Sequence, residues 1–193
     1  VLNSRKSALM EVGAFIQLAA QVECAIDRIA YLSLDVFEEF TLEFFPRFPQ
    51  NFPDKIKLIQ NLLSDDAASP LASFDIKGGA ALPKLLESII DRRNSVCHGK
   101  MANFIDGNVT YSVSFVRIGR VRKGTDGRSY TPKITQNFDR DDIFSAMKDC
   151  GSALHSLEEC RIAIWQSSEG WPMSLANLEV GEGQTFDVFA ALG

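Results

Sequence analysis

Apolar side chains recur at threes and fours over five stretches of the chain, and alternate with polar ones over a sixth. Residues 4 to 33 predict one long helix, in which Phe15, Leu18, Val22, Ala25, Ile29 and Leu32 form a near-heptad seam that requires a partner helix. A second helix, Asp35 to Phe45, crowds Phe37, Phe40, Phe44 and Phe45 together and is ended by Pro46 and Pro49. With Phe48 and Phe52 these rings make a large apolar surface that belongs either to the core or to an interface. Pro53 suits the first turn of a third helix, with Ile56, Ile59 or Leu58, Leu62 and Leu63 inward. Asp65 to Gly79 reads as a loop with a short turn at Leu71 to Phe74. Beyond Gly78-Gly79, Leu82, Leu85, Leu86, Ile89 and Ile90 form the apolar stripe of a fourth helix with Pro83 in its first turn.

The period then changes to two. Val109, Tyr111, Val113 and Phe115 alternate with polar residues, and Asp106-Gly107 is a two-residue turn signal pairing this strand with Met101 to Ile105. A second turn at Lys123 to Gly127 brings back Arg128 to Thr135, which Pro132 marks as an edge strand. Asp139 is the predicted N-cap of the last long helix, with Asp142 completing a capping-box-like pair. In that helix Ile143, Met147, Cys150, Leu154 and Leu157 step by four and three, so it should pack along the first. The expected fold is therefore mainly α, a helical bundle carrying a small three-stranded antiparallel β-meander before its last long helix. Residues 1–193 read as one domain, with a β insertion at about 101–135 and an irregular arm at about 167–193.

At 193 residues, 46% apolar and 23% charged, the chain suits one globular domain with a sizeable core. The net charge of −5 excludes a protein that coats nucleic acid by bulk charge, so any RNA contact must rest on a local basic patch. Cys24, Cys97, Cys150 and Cys160 form no Cys-x-x-Cys pair and read as reduced thiols of a cytoplasmic protein, without metal or other cofactor. Arg5 and Lys6 precede an apolar stretch as in a signal peptide, but Glu11, Gln17 and Glu23 interrupt it. No span is expected to reach the roughly 20 apolar residues a bilayer needs, so no membrane partner is expected.

Chemistry concentrates where the fourth helix ends. Arg92, Arg93 and Asn94 follow the apolar stripe, His98 comes one turn after Asn94, and Gly99 offers the left-handed conformation that closes helices. Asn94 and His98 share a face, whereas Arg93 lies roughly 140° round from His98. A single copy thus makes a poor Arg/His pair, and two copies across a symmetry axis could present both to one ligand, which favours a homodimer. Cys97 and His98 diverge by about 100°, which argues against a thiol nucleophile with His98 as its base.

The run Arg93-Asn94-Ser95-Val96-Cys97-His98-Gly99 resembles the Arg-Asn-x-x-x-His-Gly signature of the HEPN superfamily, all-helical proteins many of which are metal-independent ribonucleases or toxin components. Family members usually carry a Glu in a long first helix, a place Glu23 matches, and many run from His-Gly through a β-hairpin into a last helix. The resemblance implies His98 as general base on an RNA 2′-hydroxyl, near-neutral titration being usual for histidine. It implies Arg93 as the group that stabilises charge on the phosphate, and Asn94 as the residue that orients the ring or binds the phosphate. Glu23, Arg92 and Gly99 would support the site, and Arg92 and Lys100 would attract the strand. A protein partner such as an antitoxin or regulator would follow from the same resemblance.

Several readings remain paired. Glu23 is either a solvated flank or the mate of Arg93. Arg117, Arg120, Arg122, Lys123, Arg128 and Lys133, with Tyr111, Phe115 and Tyr130 among them, either bind RNA by phosphate contact and stacking or blunt a sheet edge. His155 is a surface or packing residue rather than a catalytic one. The whole is either a dimeric, metal-independent endoribonuclease or a catalytically silent helical interaction module, such as a regulator or partner within a toxin or defence system.

Overall fold

The computed structural model describes residues 2–44, 49–64, 69–106, 111–119, 121–123, 125 and 128–167. The chain is mainly helical: α1 (Leu2–Val36), α2 (Glu38–Phe44), α3 (Phe52–Leu62) and α4 (Leu82–Cys97) precede a sheet, and α5 (Arg140–Ser167) follows it. The strands are β1 (Lys100–Asp106), β2 (Tyr111–Ile118), β3 (Arg122–Lys123), β4 (Ser129–Tyr130) and β5 (Lys133–Asp139).

The core is built on α1 against α5. On α1 the buried seam runs through Ala8, Val12, Phe15, Ala19, Val22, Ile26 and Ile29, which step by four and three, with Ala30 and Ser33 buried beyond it. The seam is thus rotated from the expected one: Leu18, Ala25 and Leu32 lie half-buried on its flank, and Ala19 and Ile26 take the centre. On α5 the same spacing picks out Ile143, Ala146, Cys150, Ala153, Leu157 and Cys160, with Met147 and Leu154 half-buried. Small residues on both seams let two long helices lie close over most of their length. α1 and α5 run parallel, since Arg140 opening α5 reaches Glu11 while Arg28 lies near Glu158 further along. α4 runs antiparallel to both: Arg92 near its end reaches Asp149, and Lys77 just before its start is tied to Ser156 and Glu159.

α1 extends to Val36, and the expected second helix is only its continuation beyond a bend at Phe37. The bend has an identifiable cause. The Ser33 carbonyl accepts both Phe37 N–H at 2.8 Å and the buried Thr41 hydroxyl at 3.0 Å. Ser33 itself donates back to the Ile29 carbonyl, a pattern that bends helices. Phe37, Phe40 and Phe52 pack on the core, while the expected ring cluster at Phe45 and Phe48 with Pro46 lies outside the described residues. In α3, Asn51 caps the N-terminus and Lys55 is buried with the inward residues, its ammonium 2.6 Å from Asp27 of α1.

By length and composition Arg5–Val36 is apolar enough to cross a membrane, with an 18-residue window of mean hydropathy 1.4, contrary to the expectation that no stretch would be. Its apolar side chains form the seam just described. Of its acids, Glu11, Glu23 and Asp27 are tied to Arg140, Arg93 and Lys55, and Asp35 is exposed.

The sheet is antiparallel in the order β1-β2-β5. Its third strand is Lys133–Asp139, not Arg128 to Thr135, and pairs Val113 with Phe138 and Arg117 with Ile134. Ser129–Tyr130 instead pairs with Arg122–Lys123 in a separate two-stranded ribbon at the far end of the β2–β5 hairpin. Pro132 lies between the two pieces, where its carbonyl accepts Gly119 N–H at 2.8 Å and its missing donor interrupts the ladder. Gly107 of the expected Asp106-Gly107 turn and Val109 lie outside the described residues, as do residues 168–193 of the expected arm. Tyr111, Val113, Phe115 and Phe138 are buried on the sheet face that meets the helices. Asp139 and Asp142 cap α5 reciprocally, each backbone N–H donating to the other's carboxylate at 3.0 and 2.8 Å.

Candidate functional site at the end of helix α4

The last two turns of α4 carry both core and polar duty. Ser95 and Val96 are buried, which turns Arg93 toward α1 and leaves Cys97 and His98 exposed. Helical bonding stops with His98 N–H donating to the Asn94 carbonyl at 3.0 Å. Gly99 does not close the helix in a left-handed conformation: among the described residues only Gly78 has positive φ. Gly99 is needed for space. A Cβ there would collide with the Ser95 carbonyl oxygen and lie 3.0 Å from the Phe115 Cβ, because the chain turns sharply beneath β2 to enter β1.

Arg93 is held by three contacts. Its Nε lies 3.2 Å from Glu23 Oε1, an Nη donates to Glu23 Oε2 at 3.2 Å, and the other Nη donates to Asn94 Oδ1 at 3.0 Å. Of the two readings of Glu23, the geometry is that of a mate for Arg93, not a solvated flank. The Glu23 side chain is only 16% exposed and that of Arg93 27%. Burial raises the Glu23 pKa above its ordinary value, with Asp27 adding to the rise and Arg93 and Lys55 opposing it. Desolvation therefore outweighs the attraction of the guanidinium.

His98 is placed differently. Its ring is exposed, and no hydrogen bond or ion pair holds it among the described residues. Arg92 faces the other way, 2.8 Å from Asp149 of α5, so it braces two helices. His155 is 64% exposed and 3.3 Å from Glu159 one turn on, a surface arrangement. Among the described residues no three His, Cys, Asp or Glu side chains converge to hold a metal ion.

The basic residues do not form one patch. Paired residues share a sheet face, so Arg117 lies with Phe115 on the helix side, where its Nε is buried without a hydrogen bond. Lys100 and Lys133 lie on the opposite, outer face, paired with Val116 and Ile118. Arg122, Lys123 and Arg128 are exposed on and beside the distant ribbon, and Arg120 lies outside the described residues. Tyr111 and Phe115, expected among the stacking rings, are buried at 5% and 6% exposure, and only Tyr130 is open at 51%. Tyr111 instead donates to Glu11 at 2.5 Å, and burial with this carboxylate raises its pKa.

No protein-family model, curated protein or solved structure matches the chain. The HEPN resemblance accordingly stands on the motif and the layout of elements.

Sequence reasoning missed the partners that fix this site. Asp149 for Arg92 and the Glu11 carboxylate linking Tyr111 to Arg140 join residues 57 to 129 positions apart, for which a single sequence holds no periodic signal.

Proposed function

We propose that the protein is a HEPN-like, metal-independent endoribonuclease that acts as a dimer. The observation that carries this reading is the pairing of a guanidinium fixed by Glu23 with an unbonded, solvent-open imidazole five residues later at a helix end. In the proposed reaction the His98 imidazole takes the proton from an RNA 2′-hydroxyl, and that oxygen attacks the adjacent phosphorus. The bond to the 5′ oxygen breaks, and this leaving oxygen takes a proton from an imidazolium. The products are a 2′,3′-cyclic phosphate and a 5′-hydroxyl. Arg93 uses its remaining N–H groups to stabilise charge on the phosphoryl oxygens. Asn94, its Oδ1 engaged by Arg93, has its amide N–H groups for the phosphate. Lys100 and Lys133, on one sheet face beside the helix end, supply local attraction for the strand.

The second reading, a silent helical interaction module, is favoured by one observation: the Arg93 contacts all close within the protomer and clamp α4 to α1. Cleavage of RNA in the presence of chelator separates the two. The nuclease reading expects wild type to yield cyclic-phosphate ends, and His98→Ala to lose about 100-fold or more. Equal activity in wild type and His98→Ala rejects it, and no cleavage of any RNA by wild type favours the module.

A further inference from the structure

α1 has a second seam, and it is open to solvent. Met10, Gly13, Gln17, Ala20 and Cys24 follow one another at threes and fours on the side opposite the buried positions, and all are exposed. Lys6 lies on the same line at one end, and Arg28, Tyr31 and Asp35 at the other. Between Lys6 and Arg28 this face holds no charge, because Glu11, Glu23 and Asp27 turn to partners inside the fold. An uncharged, exposed face over five helical turns is unusual for a chain that is 23% charged. Met10 is 66% and Tyr31 58% exposed. Gly13 is a second anomaly: a Cβ there would meet nothing within 4 Å, so the fold itself gives no reason for a glycine that weakens a helix interior.

The charges at the ends say what fits. Arg5 and Lys6 are cationic, whereas Asp35 is acidic and Glu38 and Glu39 follow it at the bend. A parallel copy would set like against like, and an antiparallel copy sets cation against acid at both ends. We infer that the exposed face of α1 is a two-fold interface on which a second copy of this chain lays its own α1 antiparallel. The axis then passes between Ala20 and Gln21, and Lys6 meets the partner's Asp35 at each end, ~44 Å apart along the helix. In this register Met10 packs against the partner's Tyr31, a sulfur–aromatic pairing, and Gly13 makes room for the partner's Arg28. The open depression of about 370 Å³ beside Arg5, Lys6, Leu9 and Met10 receives the partner's Tyr31 end.

The register also bears on the site. α4 runs antiparallel to α1 and meets it at Arg93 and Glu23, so His98 falls near the level of Leu18, ~4 Å along the helix from the axis. The two α4 ends then lie at one level on either side of the axis. The inference rests on that reading for its dimer, not for its chemistry.

Sedimentation equilibrium gives the test. Wild type should weigh twice the chain. Lys6→Asp and Asp35→Lys should each weaken the dimer about tenfold or more, and the double exchange should restore it. Gln17→Cys should form a disulfide with the partner's Cys24 under mild oxidation. Wild type should not, because two Cys24 residues lie ~10 Å apart along the axis. A monomeric wild type overturns the inference. So does a dimer that ignores both charge reversals and leaves Gln17→Cys unlinked, an outcome that leaves the RNA chemistry standing. Loss of cleavage in His98→Ala that still dimerises, or absence of cleavage in a cross-linked wild-type-like pair, bears on the chemistry alone and keeps the interface.

Discussion

Replacing Arg93 and replacing Glu23 should have unequal costs, although the two side chains form one ion pair. Arg93→Ala leaves the Glu23 carboxylate with 16% exposure and with Asp27 as a neighbour. A fully buried pair broken on one side costs about 3–5 kcal/mol; with Arg93 itself 27% exposed, water can replace part of the contact, and the expected loss is about 2 kcal/mol at pH 7.5. Glu23→Gln removes a charge whose pKa is already raised, so ionisation there works against the fold and its loss should cost within about 1 kcal/mol. The double variant should recover much of the Arg93→Ala deficit. The pH dependence has a definite sign. A carboxyl with a raised folded-state pKa binds its proton more tightly in the native state, so stability falls as pH rises from its unfolded value through the folded one. Removing Arg93 raises that pKa further, and the deficit relative to wild type should shrink between pH 7.5 and pH 5. Urea denaturation of the four proteins at both pH values is the assay. Equal deficits for Arg93→Ala and Glu23→Gln, or a deficit unchanged at pH 5, would refute the reasoning.

Other outcomes follow from the same geometry. Gly99→Ala should destabilise by about 2–3 kcal/mol through collision with the Ser95 carbonyl and Phe115, read as a lower thermal midpoint. Arg92→Ala, which breaks a pair exposed by about a third on each side, should cost only about 0.5–1 kcal/mol in the same measurement and leave any RNA cleavage in place. Burial pushes the Cys150 and Cys160 thiols up to about 12, so alkylation of native protein at pH 8 should modify only Cys24 and Cys97, as counted by mass spectrometry.

The helices, the sheet and their order were legible because each has a period that one sequence displays. The rotation of each seam was not. Periodicity alone ranks Leu18 and Ala25 with Ala19 and Ile26, and the choice falls to the partner helix α5, whose own seam runs through Ala146 and Ala153. β5 was misplaced because its outward positions are polar and Phe138 is its one fully buried side chain, while Pro132 looked like the middle of a strand and stands at the gap before one. At the candidate site the residues themselves were legible as a motif, and Glu23 as one of two alternatives. The scatter of the basic residues was not, since a one-residue change of parity sends Arg117 and Lys133 to opposite faces of the sheet.

Two ion pairs of this chain respond to pH in opposite directions. Arg161 donates two hydrogen bonds to Glu158 on the surface of α5, and the Glu158 carboxyl is held below its ordinary range. That pair contributes stability above the unfolded pKa of the acid and loses it as pH falls, the ordinary behaviour of a helix-surface bridge. At Glu23 the direction is reversed by burial, so stability there falls as the carboxyl ionises. A buried charge that works against stability needs another reason to be ionic, and the group it immobilises is the guanidinium five residues before an unbonded imidazole. An apolar pair would join α1 to α4 as well, but it would not fix a guanidinium at the end of α4.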